Sequence, residues 1–381
     1  MKKYLPILIA AIMAIFGLCA CDSAGNDSAG NVSTGNVSAG NDSAGNASVG
    51  NTSIGNSSVG NEASESDGRL RIVATIFPEY DWVMNVLGDN PAGAEVTMLL
   101  GRGVDLHSYQ PTVADILRIS TCDLFIYVGG ESDGWVEDAL REATNKNMRV
   151  INLLDALGDS VKEEEAVEGM QEDNHGHEDN HGHEGDHGHE EAHGHEESDT
   201  EEIEYDEHVW LSLRNAMTLV NIISETVQGM DPGNAEAYKR NTAAYIGKLG
   251  ELDGKYKAAV EGSSLRTLLF GDRFPFRYLT DDYGLDYYAA FEGCSAETEA
   301  SFETITFLAG KVDELGLHAV MTIDGTDHRI AETIVQSTRS KNQTVLTLDS
   351  MQSTTSKNAT DGTTYLSIME SNLAVLTEAL R

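Results

Sequence analysis

Histidines of two kinds carry the chemistry that this sequence can offer. Four H-G-H units, His175 with His177, His181 with His183, His187 with His189 and His193 with His195, lie in a stretch from Glu163 to Glu207 that holds 20 Asp/Glu and no Lys or Arg. Neutral imidazole is a ligand for Zn²⁺, Ni²⁺ and Cu²⁺, and the flanking carboxylates raise the local cation concentration. Glycine between the histidines gives freedom rather than preorganisation, so this stretch is expected to capture metal weakly and at several points. His107, in LLGRGVDLHSYQPTVAD, and His208, in YDEHVWLSLRNA, have sharper surroundings. Each lies in a loop that leads into a helix-like run, and loops at the ends of parallel strands face the ligand crevice of an open α/β sheet. No phosphate-binding G-x-x-x-x-G-K-S/T and no nucleophile-elbow motif is present; H-E-x-x-H occurs only inside the His- and acid-rich stretch, at His177–His181, His183–His187 and His189–His193, where the flanking glycines do not favour the rigid helix that a metalloprotease needs, so no enzyme is expected. A metal hydrolase needs an open coordination position and a general base such as the Glu of H-E-x-x-H.

The elements around these residues alternate in type. RLRIVATI, AEVTMLL, CDLFIYVGG and MRVINLL read as strands. PEYDWVMNVLG, PTVADILRIS and DGWVEDALREAT between them read as helices. A second half, from SLRTLLFG to the closing TYLSIMESNLAVLTEAL, repeats the alternation. Strand–helix alternation argues for mostly parallel sheets flanked by helices. Between the halves, residues 231–262 carry apolar side chains at helical spacing behind Asp231 and Pro232, which suit a helix start. The fold class expected is therefore α/β: two domains, each with a mostly parallel sheet, joined by one long rigid helix. Gly247, Gly250 and Gly254 weaken the expectation that this helix is straight.

The expected divisions are a signal peptide at 1–20, a tether at 21–68 and an N-terminal α/β metal-binding domain at 69–230. That domain carries a His- and acid-rich insert at 160–205, expected to stay unfolded. The linker helix at 231–262 leads to a C-terminal α/β domain at 263–381. The leader pairs a cationic start with an apolar run too short to span a bilayer. It ends Leu18-Cys19-Ala20-Cys21, a pattern similar to a bacterial lipobox, which makes Cys21 the expected lipidation site on an extracytoplasmic, membrane-anchored protein. Ser23–Glu62 is eight copies of S-x-G-N-x with almost no large apolar side chains, and reads as a flexible tether. The net charge of −38 and the absence of a Lys/Arg cluster exclude a nucleic-acid binder. Cys122 and Cys294, the two cysteines beyond the leader, either pair or stay free.

GVDLHSYQPTVADILRISTCDLFIYVGG, DEHVWLSLRNA, FRYLTDDYGL and TVLTLDSM…YLSIMESNLAVLTEAL together resemble the substrate-binding proteins of bacterial zinc and manganese ABC importers. The resemblance covers about Arg69–Arg381. It implies a monomeric carrier that holds Zn²⁺, or alternatively Mn²⁺, between two domains and serves an ABC permease and its ATPase. A surface adhesin or metal buffer without a transport role is the alternative. Carried over by position, the ligands implied are His107, His208 and Asp349. The family's third ligand falls on Arg273, which cannot bind a cation, so Asp272 and Glu79 are the candidates to replace it.

Overall fold

A computed structural model describes residues 69–171, 204–295 and 299–381. The expected leader, Cys21 and the repeat tether lie outside the described residues. So do the expected metal-capturing histidines of the four H-G-H units: His175, His177, His181, His183, His187, His189, His193 and His195.

The first lobe runs β1 (Arg71–Ala74), α1 (Phe77–Leu87), β2 (Glu95–Met98), α2 (Val113–Thr121), β3 (Leu124–Tyr127), α3 (Val136–Arg141), β4 (Arg149–Asn152) and α4 (Leu153–Leu157). Its four strands are all parallel, in the order β2-β1-β3-β4. After α5 (Leu213–Met230) and α6 (Ala235–Glu261) comes the second lobe. It contains β5 (Thr267–Phe274), α7 (Arg277–Tyr283), β6 (Asp286–Glu292), α8 (Phe302–Leu315), β7 (Ala319–Ile323), α9 (Arg329–Ser337), β8 (Thr344–Leu348), α10 (Ser356–Thr360) and α11 (Tyr365–Ala379). Its sheet is again parallel throughout, in the order β6-β5-β7-β8. Leu-Phe-Ile in β3 and Ala-Val-Met-Thr-Ile in β7 are buried, as a parallel sheet covered on both faces requires.

Local chemistry sets the boundaries. In α1, Pro78 occupies the first turn, and Glu79 reaches back to accept hydrogen bonds from Thr75 N (2.7 Å) and Ile76 N (3.2 Å). Asn152 ends β4 and caps α4 through Asp155 N (3.1 Å), so Leu153 and Leu154 leave the strand that the apolar run MRVINLL suggests. Thr112 and Asp115 form a reciprocal capping box on α2.

Helix α6 is continuous over 27 residues in spite of its three glycines. It buries Tyr238, Tyr245, Leu249, Leu252, Tyr256 and Val260 along one stripe. Tyr245 Oη donates to Asp81 Oδ2 of α1 (3.2 Å), and Tyr256 Oη to the Met369 carbonyl of α11 (2.7 Å). One rigid rod is thereby fastened to both lobes. Further bonds join them: Trp210 Nε1 donates to Ser350 O (2.9 Å), and Tyr365 Oη to Trp210 O (2.7 Å). Among the described residues, no helix is long and apolar enough to cross a membrane.

Candidate metal centre

The carboxyl ends of both sheets feed one site. His107 follows β2 in a short helical turn whose Asp105 accepts from His107 N (3.0 Å). His208 ends an extended segment before α5, and Asp206 Oδ1 accepts from its main-chain N (2.8 Å). Cys294 follows β6 of the opposite lobe. One ligand atom from each of His107, His208 and Cys294 lies within 4.8 Å of the other two. The two Nε2 atoms are 3.1 Å apart.

The outer nitrogens explain why the inner ones converge. Asp206 Oδ1 lies 3.0 Å from His208 Nδ1, and a carboxylate only accepts, so Nδ1 carries a proton and Nε2 is the nitrogen turned inward. His107 Nδ1 meets Ser132 Oγ at 2.8 Å and Glu207 Oε2 at 3.5 Å. Glu207 is fixed by the Ser132 main-chain N–H at 2.9 Å. It fits only because residue 130 is glycine: at φ +81°, a Cβ there would stand 2.3 Å from Glu207 Oε1. Carboxylates that orient imidazoles by their outer nitrogens are the usual partners of metal-binding histidines.

The site is dry and acid-walled. The His208 side chain is fully buried, and that of His107 is 8% exposed. Burial and the adjacent His208 push the His107 imidazolium down to about 3. Burial opposes charge on His208 as well, but Asp206, Glu207 and Glu164 outweigh it and hold its pKa above the usual imidazole value. Burial, then Glu164, Glu207 and Asp206, push the Cys294 thiol well up. Burial also raises Glu207 and Glu164 above the usual carboxylate range. Glu207 Oε2 is buried without a hydrogen-bond partner. A cleft of about 440 Å³ lies beside the centre, lined by Asp105 and Ser108 from the first lobe and by Asp272, Arg273, Ser295 and Thr326 from the second.

The sequence matches the family described as "ZnuA: Zinc-uptake complex component A periplasmic" over residues 72–379. The chain belongs to this zinc-uptake component A family. It is 30% identical over 317 residues to the zinc-binding lipoprotein AdcA of Streptococcus pneumoniae (strain ATCC BAA-255 / R6), a match that covers 82% of this chain and 56% of the relative. It is 27% identical over 319 residues to the high-affinity zinc uptake system protein ZnuA of Bacillus subtilis (strain 168), covering 84% and 90%. The Zn(II)-bound ZnuA-like domain of Streptococcus pneumoniae AdcA superposes with a TM-score of 0.60 at 26% identity, covering 82% of this chain and 99% of that one. The chain thus spans just over half the length of the AdcA relatives, 56%.

Against this zinc-uptake component A background, the expected ligands part company. His107 and His208 come together. Glu79, Asp272 and Asp349 are not grouped with them among the described residues. Glu79 is buried and committed to Thr75 and Ile76; burial and then Asp133 raise its carboxyl to about 8. Asp272 accepts from Arg273 N (2.9 Å), Ile323 N (3.3 Å) and Thr326 Oγ1 (2.7 Å), bonds that serve the fold of the second lobe. Asp349 Oδ1 accepts from Met351 N (2.8 Å) and turns the chain after β8. Arg273 spans the lobes and binds Asp105 (2.6 Å). The expected loop ligands His175, His177, His181, His183, His187, His189, His193 and His195 lie outside the described residues. The signal for Cys294 was its place one residue after a glycine at the carboxyl end of a strand. The signal for Asp206 and Glu207 was their adjacency to His208, masked by the surrounding acidic run.

Proposed function

We propose that the chain is the extracytoplasmic binding component of a bacterial metal importer. It captures a divalent ion, zinc in preference to manganese, and passes it to an ABC permease driven by its ATPase. One observation supports this above the others: the two Nε2 atoms lie 3.1 Å apart, each ring held from behind by a carboxylate or hydroxyl. Tetrahedral zinc with Zn–N bonds of about 2.05 Å sets ligand nitrogens about 3.3 Å apart. Imidazole donors favour zinc over manganese, which prefers carboxylate oxygen and water. The names of the relatives, zinc-binding lipoprotein and zinc uptake protein, point the same way. In this reading Cys21 carries the lipid, and the histidines of the H-G-H units, from His175 and His177 to His193 and His195, collect ions. The protein carries its cargo without transforming it.

The test is zinc calorimetry on the full chain with His107→Ala/His208→Ala. The expected result is loss of one tight site, with affinity lower by orders of magnitude, while weak binding by the His-rich stretch persists. A tight site that survives the double change overturns the reading.

A further inference from the structure

We propose that Cys294 is the third donor of this centre, so that the ion is held by two imidazoles and one thiolate from opposite lobes. This rests on the reading that His107 and His208 bind metal. Zinc–sulfur and zinc–nitrogen bonds of about 2.3 and 2.05 Å place the sulfur of a tetrahedral site about 3.5 Å from each ring nitrogen. The separations here, all within 4.8 Å, require only a small closure.

The approach of β6 is built for this contact. A Cβ at Gly293 would lie 3.1 Å from both Cε1 and Nδ1 of His208 and 2.9 Å from the Phe274 carbonyl. Glycine therefore lets the strand end come flat against the His208 ring and delivers the next side chain into the site. The backbone of Cys294 is pinned there, its N–H donating to Glu164 Oε1 at 3.1 Å. No disulfide competes: both Cys122 and Cys294 are free, and Cys122 is buried against Met148 (3.4 Å).

Charge supplies a second, independent argument. Glu207 is 2% exposed and its Oε2, 3.5 Å from the His107 ring, has no hydrogen-bond partner. Asp206 and Glu164 lie beside it, while the nearby guanidinium of Arg273 is engaged by Asp105. A divalent cation at the centre would compensate these buried acids. On binding, the metal–sulfur bond replaces the S–H bond and the proton leaves to water. A sulfur donor moves the preference further toward zinc, cobalt and cadmium and away from manganese.

The experiment is Co²⁺ titration of the full chain, wild type against Cys294→Ser and against His107→Ala/His208→Ala. The first equivalent should give the intense near-ultraviolet band of thiolate-to-cobalt charge transfer. Cys294→Ser should remove that band and weaken the first equivalent at least tenfold while still binding cobalt. A wild-type first equivalent without the band, or a band that survives Cys294→Ser, overturns the inference. A first equivalent unaffected by the double histidine change instead overturns the metal-site reading beneath it. Alkylation of the unmutated protein gives a check that needs no variant: one equivalent of Zn²⁺ should protect Cys294, read by peptide mass. Alkylation at the metal-free rate also overturns the inference.

Discussion

His107 and His208 are 101 residues apart in sequence, yet their rings meet with centroids 5.1 Å apart and Nε2 atoms 3.1 Å apart. Neither ring chooses that position alone. Ser132 and Glu207 fix the first, and Asp206 fixes the second. The precision of the pair belongs to these supports, and they are the first place to perturb it.

Asp206→Asn keeps the size of the side chain but removes the charge that holds the His208 proton on Nδ1. Zinc affinity should fall roughly 10–100-fold, the range usual for an orienting partner of a metal ligand. Competition against a fluorescent chelator measures this. An unchanged dissociation constant would show that the carboxylate merely fills space.

Arg273 ties the lobes through Asp105, the residue that holds the His107 turn. Arg273→Ala should speed zinc release by roughly tenfold, about 1.4 kcal/mol, and Arg273→Lys should restore part of the difference. Stopped-flow transfer to a chelator reads the rate. Equal rates in all three proteins would remove the pair from any part in retention.

Glu79 gives a pH prediction on stability. Its carboxyl is raised from 4.5 to about 8, by burial first and then by Asp133. Between those values the folded chain holds a proton that the unfolded chain releases. The contribution is therefore complete below about 4.5 and is lost as pH rises through about 8. Metal-free wild type should lose a few kcal/mol from pH 5 to pH 8 relative to Glu79→Gln. Urea unfolding at both values measures it; parallel profiles would refute the assignment.

Gly247 and Gly254 sit on the exposed side of α6, where an added Cβ meets nothing within 4 Å. Gly247→Ala and Gly254→Ala should each stabilise the protein by about 1 kcal/mol, with zinc affinity unchanged. Thermal unfolding tests this, and a lower Tm in either variant would contradict it.

Much of the scaffold was readable because each element carries its own local signal. The buried strand runs, Pro78 in the first turn of α1, and the apolar stripe of α6 all depend on near neighbours in sequence. His107 and His208 were readable for the same reason, since each lies in a distinctive loop. The third donor was not. Cys294 acquires its meaning from Gly293 and from the packing of β6 against His208, a contact between lobes that no local pattern encodes. Asp272, Asp349 and Glu79 have the right chemistry and lie at or near strand ends, but each is held by N–H groups of its own lobe and none is grouped with His107 and His208. Composition names possible donors; only the fold says which lone pairs remain free.

An antiparallel bridge joins Glu163 and Tyr205. Glu164 beside that bridge touches Cys294, and Asp206 just beyond it touches His208. The bridge therefore holds supports of Cys294 and His208 in one register: Glu164 N donates to Glu204 O and Asp206 N to Lys162 O, both at 3.0 Å. A change that broke this short ladder would loosen both supports together.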